Sequence, residues 1–273
     1  QLRPAPETEA DIALVAEVAG RLGACFVSGV PSTPLPGDER SAREARYRWL
    51  GEVCARFEVR IGVTGHTEDD QAETVLLRLT RGSGLRGAAG MRVRASWPVE
   101  LTSEAAPELL RPLLTITRAD VEDYLDALGL EARLDPTNEL LTYAHNRLRN
   151  RVIPELELLN PRAKPHLAAF AARARLDDEA LEEWAVREFA AHGRVDEGEV
   201  SLTRSSLRRL PAAVTTRVFR LAAAELGLSL TSEQLNSALS ALERSGYEVS
   251  IEGGRVQSGP KYVVISRQGA FTT

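Results

Sequence analysis

The chain has 273 residues, room for two modest domains, with 43% hydrophobic residues, 27% charged residues and a formal net charge of −5. That balance fits an ordinary globular protein and argues against a uniformly basic nucleic-acid binder, although the distribution of charge says more than its total. No apolar run approaches the ~20 residues of a membrane helix and no signal peptide is visible, so the expectation is a cytoplasmic protein with no membrane partner.

Cys25 and Cys54 form no C-x-x-C pair, which favours structural thiols in a reducing compartment over a sulfur carrier or zinc site. Lys164 and Lys261 are the only lysines, so almost all positive charge is arginine. Genome composition explains that bias at least as well as a need for bidentate phosphate contacts.

In chain order, Glu7 to Leu22 reads as an amphipathic helix with Ile12, Val15, Val18, Ala19 and Leu22 on its apolar face and Gly23 as its stop. Cys25-Phe26-Val27 reads as a strand, and the prolines between Pro31 and Gly37 as a loop. Ser41 to Phe57 predicts a second helix, with Ala42, Ala45, Trp49, Val53 and Phe57 as core candidates. Val59 to Val63 is short, β-branched and mostly apolar, as in a parallel-sheet strand.

The stretch Thr64-Gly65-His66-Thr67-Glu68-Asp69-Asp70 then predicts a tight turn and a helix start, with Thr67 and Asp70 in capping-box spacing. Ala72, Val75, Leu76 and Leu79 recur at helical spacing, so one face is buried. Ligands of open α/β sheets bind beyond the carboxyl ends of strands, where this turn lies. His66 and the acids are site candidates on that ground, and complementing the helix dipole explains the acids equally well.

Arg81-Gly82-Ser83-Gly84-Leu85-Arg86-Gly87 is a basic, glycine-rich loop able to offer backbone amides to phosphate, although it is not a Walker motif. Thr117 predicts a helix cap with Asp120, and the helix runs to Leu128. Asp135-Pro136-Thr137-Asn138 is a turn signal. Between residues 143 and 175 stand seven basic residues against the two acids Glu155 and Glu157, a density that favours an anionic partner slightly over an ordinary solvated helix face. Lys164 to His192 reads as a long helix. Beyond it come a strand near Val200-Ser201-Leu202, helices near 211–226 and 231–244, and a closing hairpin of Tyr247–Ile251 and Tyr262–Ile265.

Taken together, Thr64-Gly65-His66-Thr67-Glu68-Asp69-Asp70-Gln71-Ala72-Glu73-Thr74, the loop at 81–87, Arg111-Pro112-Leu113-Leu114, Asp135-Pro136-Thr137-Asn138 and Asn146-Arg147-Leu148-Arg149 with Ile153-Pro154 resemble, in order, motifs of the tRNA(Ile)-lysidine synthases within the PP-loop ATP pyrophosphatases. The resemblance implies an α/β chain. A Rossmann-like, adenine-nucleotide α-hydrolase-like parallel sheet would occupy 1–160, a linking helix 161–195, and a small α+β tRNA-binding domain 196–273.

It further implies an ATP- and magnesium-dependent ligase acting on the wobble cytidine of an isoleucine tRNA with a CAU anticodon. The C2 oxygen is adenylated, pyrophosphate leaves, and the ε-amine of free L-lysine displaces AMP to give lysidine. Carried onto this sequence, the resemblance makes Arg46, His66 and Asp70 catalytic, with Asp70 also the metal ligand. It puts the ATP region at Thr64, Gly65 and Arg81, and tRNA contacts at Arg147, Arg149, Arg151, Arg162 and Lys164. A homodimer is left open.

The chain departs from the family's pattern in two places. The Ser-Gly-Gly-x-Asp-Ser loop that grips ATP pyrophosphate is absent, and Val27-Ser28-Gly29-Val30-Pro31-Ser32 only imitates it; His145 stands where arginine is usual. A start at Gln1 rather than methionine reads as processing or truncation, with the first sheet strands missing, so the expectation is that the chain as written does not activate ATP. The competing readings are another PP-loop tRNA-modifying enzyme of the thiolase kind, which the isolated cysteines disfavour, and a non-catalytic tRNA-binding relative.

Overall fold

The computed structural model describes residues 5–31, 38–101, 106–133 and 141–268. They gather into two compact units, Gln1–Arg175 and Leu176–Thr273.

In the first unit, α1 (Ala5–Arg21) forms as its periodicity predicts. Its expected core residues Ile12, Val15 and Leu22 are nevertheless exposed, so the amphipathic pattern specified a helix without burying it. In α2 (Glu39–Arg56), the cap is Asp38, whose carboxylate accepts the Ser41 N–H at 2.8 Å. The core residue of α2 is Tyr47, whereas Phe57, expected inside, is 49% exposed. Tyr47 meets Trp97 edge-to-face, with ring centroids 5.6 Å apart, and Trp97 Nε1 donates to the Tyr47 carbonyl at 2.9 Å. An aromatic pair that also satisfies the indole N–H outweighs burial of the predicted stripe. Leu109 completes this small core.

Strands β1 (Ile61–Val63), β2 (Arg94–Ala95) and β3 (Glu108–Leu110) form a sheet in the order β1-β3-β2, with β1 and β3 parallel and Gly62 opposite Leu109. Gly62 is required there, since a Cβ would sit 2.5 Å from the Trp97 ring. The segment Cys25-Phe26-Val27 is not a strand, and Phe26 and Val27 are each 38% exposed. Strand propensity expresses fit to a pleated, half-buried surface, and no described strand pairs with this segment.

Between β1 and β3 lie α3 (Glu68–Thr80) and the short α4 (Leu85–Ala88), the latter not foreseen in the glycine-rich loop. α5 (Arg118–Ala127) begins at the expected Thr117–Asp120 capping box. The motif at 135–138 lies outside the described residues. The arginine-rich segment that follows folds as α6 (Ala144–Arg147), a π-helical turn (Leu148–Val152) and α7 (Ile153–Leu159). π-Turns inside helices recur at functional sites. α8 (Ala163–His192) is the long helix predicted, and the division between the two units falls within it.

The second unit is α+β. β4 (Gly193–Asp196), β5 (Glu199–Thr203), α9 (Arg204–Leu207), α10 (Ala212–Glu225), α11 (Ser232–Glu243), β6 (Tyr247–Ile251), β7 (Gly254–Ser258) and β8 (Tyr262–Arg267) follow in sequence. The sheet is antiparallel throughout, in the order β4-β5-β8-β7-β6. The predicted closing hairpin is thus a three-stranded meander, because β7 supplies a strand where the glycines at 253, 254 and 259 read as loop. Alternate residues of β5, β7 and β8, including Leu202, Val256 and Ile265, pack with Val218 and Phe219 of α10 and Leu235 of α11 in one core. Beneath it, Arg217 pairs with buried Asp178 at 2.6 Å. No helix among the described residues is long and apolar enough to cross a membrane.

Candidate active site

The site begins where β1 ends. The Thr64 N–H donates to the Leu110 carbonyl at 3.0 Å, so the turn that follows leaves the sheet at the carboxyl end of a parallel strand. Thr64 Oγ1 and His66 Nδ1 are hydrogen-bonded at 2.8 Å, which orients the imidazole. Thr67 closes the predicted capping box: its N–H and hydroxyl donate to the Asp70 carboxylate at 2.8 and 3.0 Å. Glu68, Asp69 and Asp70 therefore crowd the first turn of α3, where exposed N–H groups favour negative charge.

Three acids of α3 engage an overlapping set of cations. Asp69 accepts from Lys164 Nζ at 2.9 Å and from the Arg118 N–H at 2.8 Å. Lys164 also reaches Glu157, at 3.2 Å. Asp70 Oδ1 lies 3.2 Å from Arg149 and 3.5 Å from Arg118. Glu73, only 2% exposed, takes Arg149 in a two-pronged grip at 2.6 and 3.1 Å, and His145 stands 3.6 Å away. A fork of two N–H groups on one carboxylate fixes geometry as well as charge.

Two hollows flank this lattice, and Glu73 and Arg149 line both. The smaller, about 150 Å³, is walled by Asp69, Arg118, Glu157 and Lys164. The larger, about 700 Å³, runs along α3 past His66, Asp70, Thr74, Leu77, Arg78 and Arg81. Arg40 and Arg43 of α2 face it, as do Met91, His145 and Asn146.

Burial holds the His66 imidazole below its ordinary pKa; Asp70 opposes this, and Arg111, Arg43 and Arg46 add to it. The ring is therefore neutral near pH 7. Burial raises the Asp69 carboxyl, but the Lys164 ammonium and the Arg118 N–H outweigh it and hold the group below the usual range. Burial likewise lowers Lys164, and its bonds to Asp69 and Glu157 bring it above its ordinary value.

Among the sequence candidates, His66, Asp70, Arg81 and Arg149 meet in the larger cleft, while Lys164 lines the smaller. Thr64 serves His66, and Gly65 is exposed. Arg46 is exposed and does not line the cleft, acting on His66 through its charge. Arg147, Arg151 and Arg162 are exposed, with Arg147 donating to the Leu141 carbonyl at 3.1 Å.

Sequence reasoning passed over Glu73, Arg118 and Gln71. Glu73 had a usable signal, a carboxylate between Ala72 and Val75 on the buried face of α3. Gln71 is buried, and its amide grips the Met91 backbone from both sides, at 2.7 Å to the N–H and 3.0 Å to the carbonyl. Arg78 donates to the Gly90 carbonyl at 2.8 Å, and Arg175 donates to the Ala89 carbonyl at 2.8 Å. The segment 87–91 is thereby strapped along α3 as a wall of the cleft.

Magnesium fits the described residues poorly. Asp70 offers one carboxylate whose oxygens are already taken by Thr67, Arg149 and Arg118. No group of three or more His, Cys, Asp or Glu residues able to hold a metal occurs among the described residues.

Residues 2–156 match the PP-loop domain family, and the chain belongs to it. Its curated relatives include the tRNA(Ile)-lysidine synthase of Salinispora tropica, 42% identical over 74% of this chain and 56% of the relative. That of Thermobifida fusca is 36% identical over 73% and 58%. That of Geobacillus kaustophilus is 32% identical over 68% and 38%. The chain thus spans little more than half the length of the first two. A solved U34-tRNA thiolase from Methanococcus maripaludis aligns over 60% of this chain and 55% of its own at TM-score 0.44 and 15% identity.

Proposed function

We propose that the protein modifies tRNA as a lysidine synthase, using ATP to activate the wobble cytidine of an isoleucine tRNA with a CAU anticodon and free lysine to replace the C2 oxygen. The reading is supported above all by the constellation of neutral His66, Asp70 and the Glu73–Arg149 pair in one cleft at the end of a parallel strand, together with relatives that bear that name.

In this reading the cytidine C2 oxygen attacks the α-phosphate of ATP and pyrophosphate departs. The lysine ε-amine then attacks C2, and the C2–O bond breaks as AMP leaves with that oxygen, while the amine gives up its protons. His66, held neutral by burial and neighbouring arginines, accepts or offers one hydrogen bond without adding charge. Asp70 lines the cleft with Oδ1 against Arg149, and in this reading it exchanges part of that contact for the incoming ammonium or its proton. Glu73 and Asp70 fix the Arg149 guanidinium, and in this reading its remaining N–H groups meet negative charge developing at the phosphate.

The test uses the protein expressed from its native reading frame, an unmodified isoleucine tRNA, ATP and lysine. Pyrophosphate release and the mass of the wobble nucleoside are followed together. The expected result is tRNA-dependent pyrophosphate release and a cytidine heavier by one lysyl group, with lysine incorporation reduced at least ~100-fold by Asp70→Asn, within the range by which a positioned acid–base group acts. Pyrophosphate release with no lysine incorporated would overturn the assignment to lysidine formation.

A further inference from the structure

The larger cleft is lined by two sets of charges. Asp70 and Glu73 are matched by Arg149. Arg40 and Arg43 from the first turns of α2 line the same cleft as Arg78 and Arg81 from the C-terminal end of α3, and the charge of Arg43 reaches Arg78. Each pair is three residues apart on its helix, so its members stand about one turn apart on one face.

Among the described residues, two carboxylates answer these four guanidiniums. Glu44 pairs with Arg40 at 2.8 Å. Asp38, which also lines the cleft, is occupied in capping α2 through the Ser41 N–H and hydroxyl. Arg43 lies over the Tyr47 ring at 4.9 Å, and Arg78 donates to backbone carbonyls. Neither they nor Arg81 pair with a carboxylate among the described residues. Burial and the charge of Arg43 both depress the Arg78 guanidinium, so these two cations stand close enough to repel each other.

Along α3, Asp70 and Arg81 are eleven residues apart, about 16 Å at ~1.5 Å per residue. At ~3.4 Å per stacked nucleotide that is roughly five nucleotides of one strand. The basic groups are also spread along two helices that line one cleft, which suits a polyanion lying lengthwise.

We infer that Arg40, Arg43, Arg78 and Arg81 form a track for the phosphodiester backbone of a single RNA strand whose reacting base lies at the Asp70 end. The inference rests on the RNA-modifying reading above and locates that partner on the chain. Arg149 and Lys164, by contrast, have their charge met by Glu73, Asp69 and Glu157.

The experiment measures binding of a fluorescent twelve-residue oligouridylate to the full chain between 50 and 200 mM KCl. The probe holds no cytidine, so binding is read apart from chemistry. The double variant Arg43→Ala/Arg81→Ala leaves the strapping bonds of Arg78 intact. It should make the log–log salt slope shallower by about 1.4, at ~0.7 per lost phosphate contact, so that the 50-to-200 mM penalty shrinks about seven-fold. Arg43→Lys/Arg81→Lys should restore most of the slope. Arg48→Ala/Arg60→Ala, exposed arginines outside the cleft, should leave it unchanged.

An unchanged slope in the first variant, given an unchanged unfolding transition, overturns the track. So does an equal loss in the Arg48/Arg60 control. Weakened ATP binding with undiminished oligouridylate binding also overturns it, and would mark a mononucleotide site. If the slope behaves as stated but no tRNA is modified, the lysidine reading fails and the RNA track stands.

Discussion

Replacing Glu73 is the sharpest test of how the site is held together. The side chain is 2% exposed and carries both prongs of the Arg149 contact, at 2.6 and 3.1 Å. Removing one partner of a buried ion pair costs ~3–5 kcal/mol, chiefly because the other charge is left behind. Here the stranded guanidinium is 25% exposed and keeps Asp70 at 3.2 Å, so it rehydrates in part. The low end applies, about 3 kcal/mol for Glu73→Ala. Glu73→Gln keeps the shape and an acceptor while losing the charge, and should cost about 1–2 kcal/mol. For a unit of this size ~1 kcal/mol shifts the melting temperature by roughly 2–4 °C, so the alanine variant should melt about 6–12 °C lower. Scanning calorimetry at fixed salt measures both variants alone and with Arg149→Met. Because the partner is then also gone, the double variant should lose much less than the sum of the singles. A drop under about 2 °C for Glu73→Ala, or strict additivity with Arg149→Met, would refute the argument that this carboxylate and guanidinium form one buried unit.

Two further predictions concern neighbours of that pair. Gly90 has φ +64, and a Cβ there would fall 2.6 Å from Gln71 Oε1, so Gly90→Ala should cost about 1–3 kcal/mol and expose 82–91 to limited proteolysis. Adding Gln71→Ala should relieve the collision but not the backbone strain, and cleavage unaffected by Gly90→Ala would show that the strap does not set this wall. The second concerns pH. His66 has a folded-state pKa depressed below its ordinary 6.5, mainly by burial, so between those two values the unfolded chain binds a proton that the folded chain refuses. Stability should therefore decline as pH falls below about 6.5 and level off beneath the folded value. His66→Gln should flatten that limb in denaturant titrations, and an identical limb in the variant would exclude His66 as its source.

What the sequence disclosed was local. The capping boxes at Thr67–Asp70 and Thr117–Asp120 and the long helix ending at His192 all rest on neighbours within a few residues, where side-chain and backbone chemistry decide the outcome. Asp69–Lys164 and Asp70–Arg149 join positions 95 and 79 apart, and no spacing rule anticipates such pairs. The same limit explains the strand errors. Cys25-Phe26-Val27 has strand composition but no described partner. Gly254–Ser258 is framed by turn residues, yet pairs on both sides, with β6 and β8. Tyr47 was missed because its burial is set by Trp97, fifty residues on.

Asp70 carries a consequence for anyone altering this protein. Its Oδ2 secures the start of α3 through Thr67, while its Oδ1 faces Arg149 and Arg118. One carboxylate is both a nucleation device and a chemical group, and the two roles use different oxygens. Truncation at this position therefore confounds a frayed helix with a lost reagent, so inactivity alone is uninterpretable. Replacing Thr67 attacks the first role from the other side and leaves the carboxylate in place. Only the two substitutions compared can separate foldability from reactivity at the first turn of the helix.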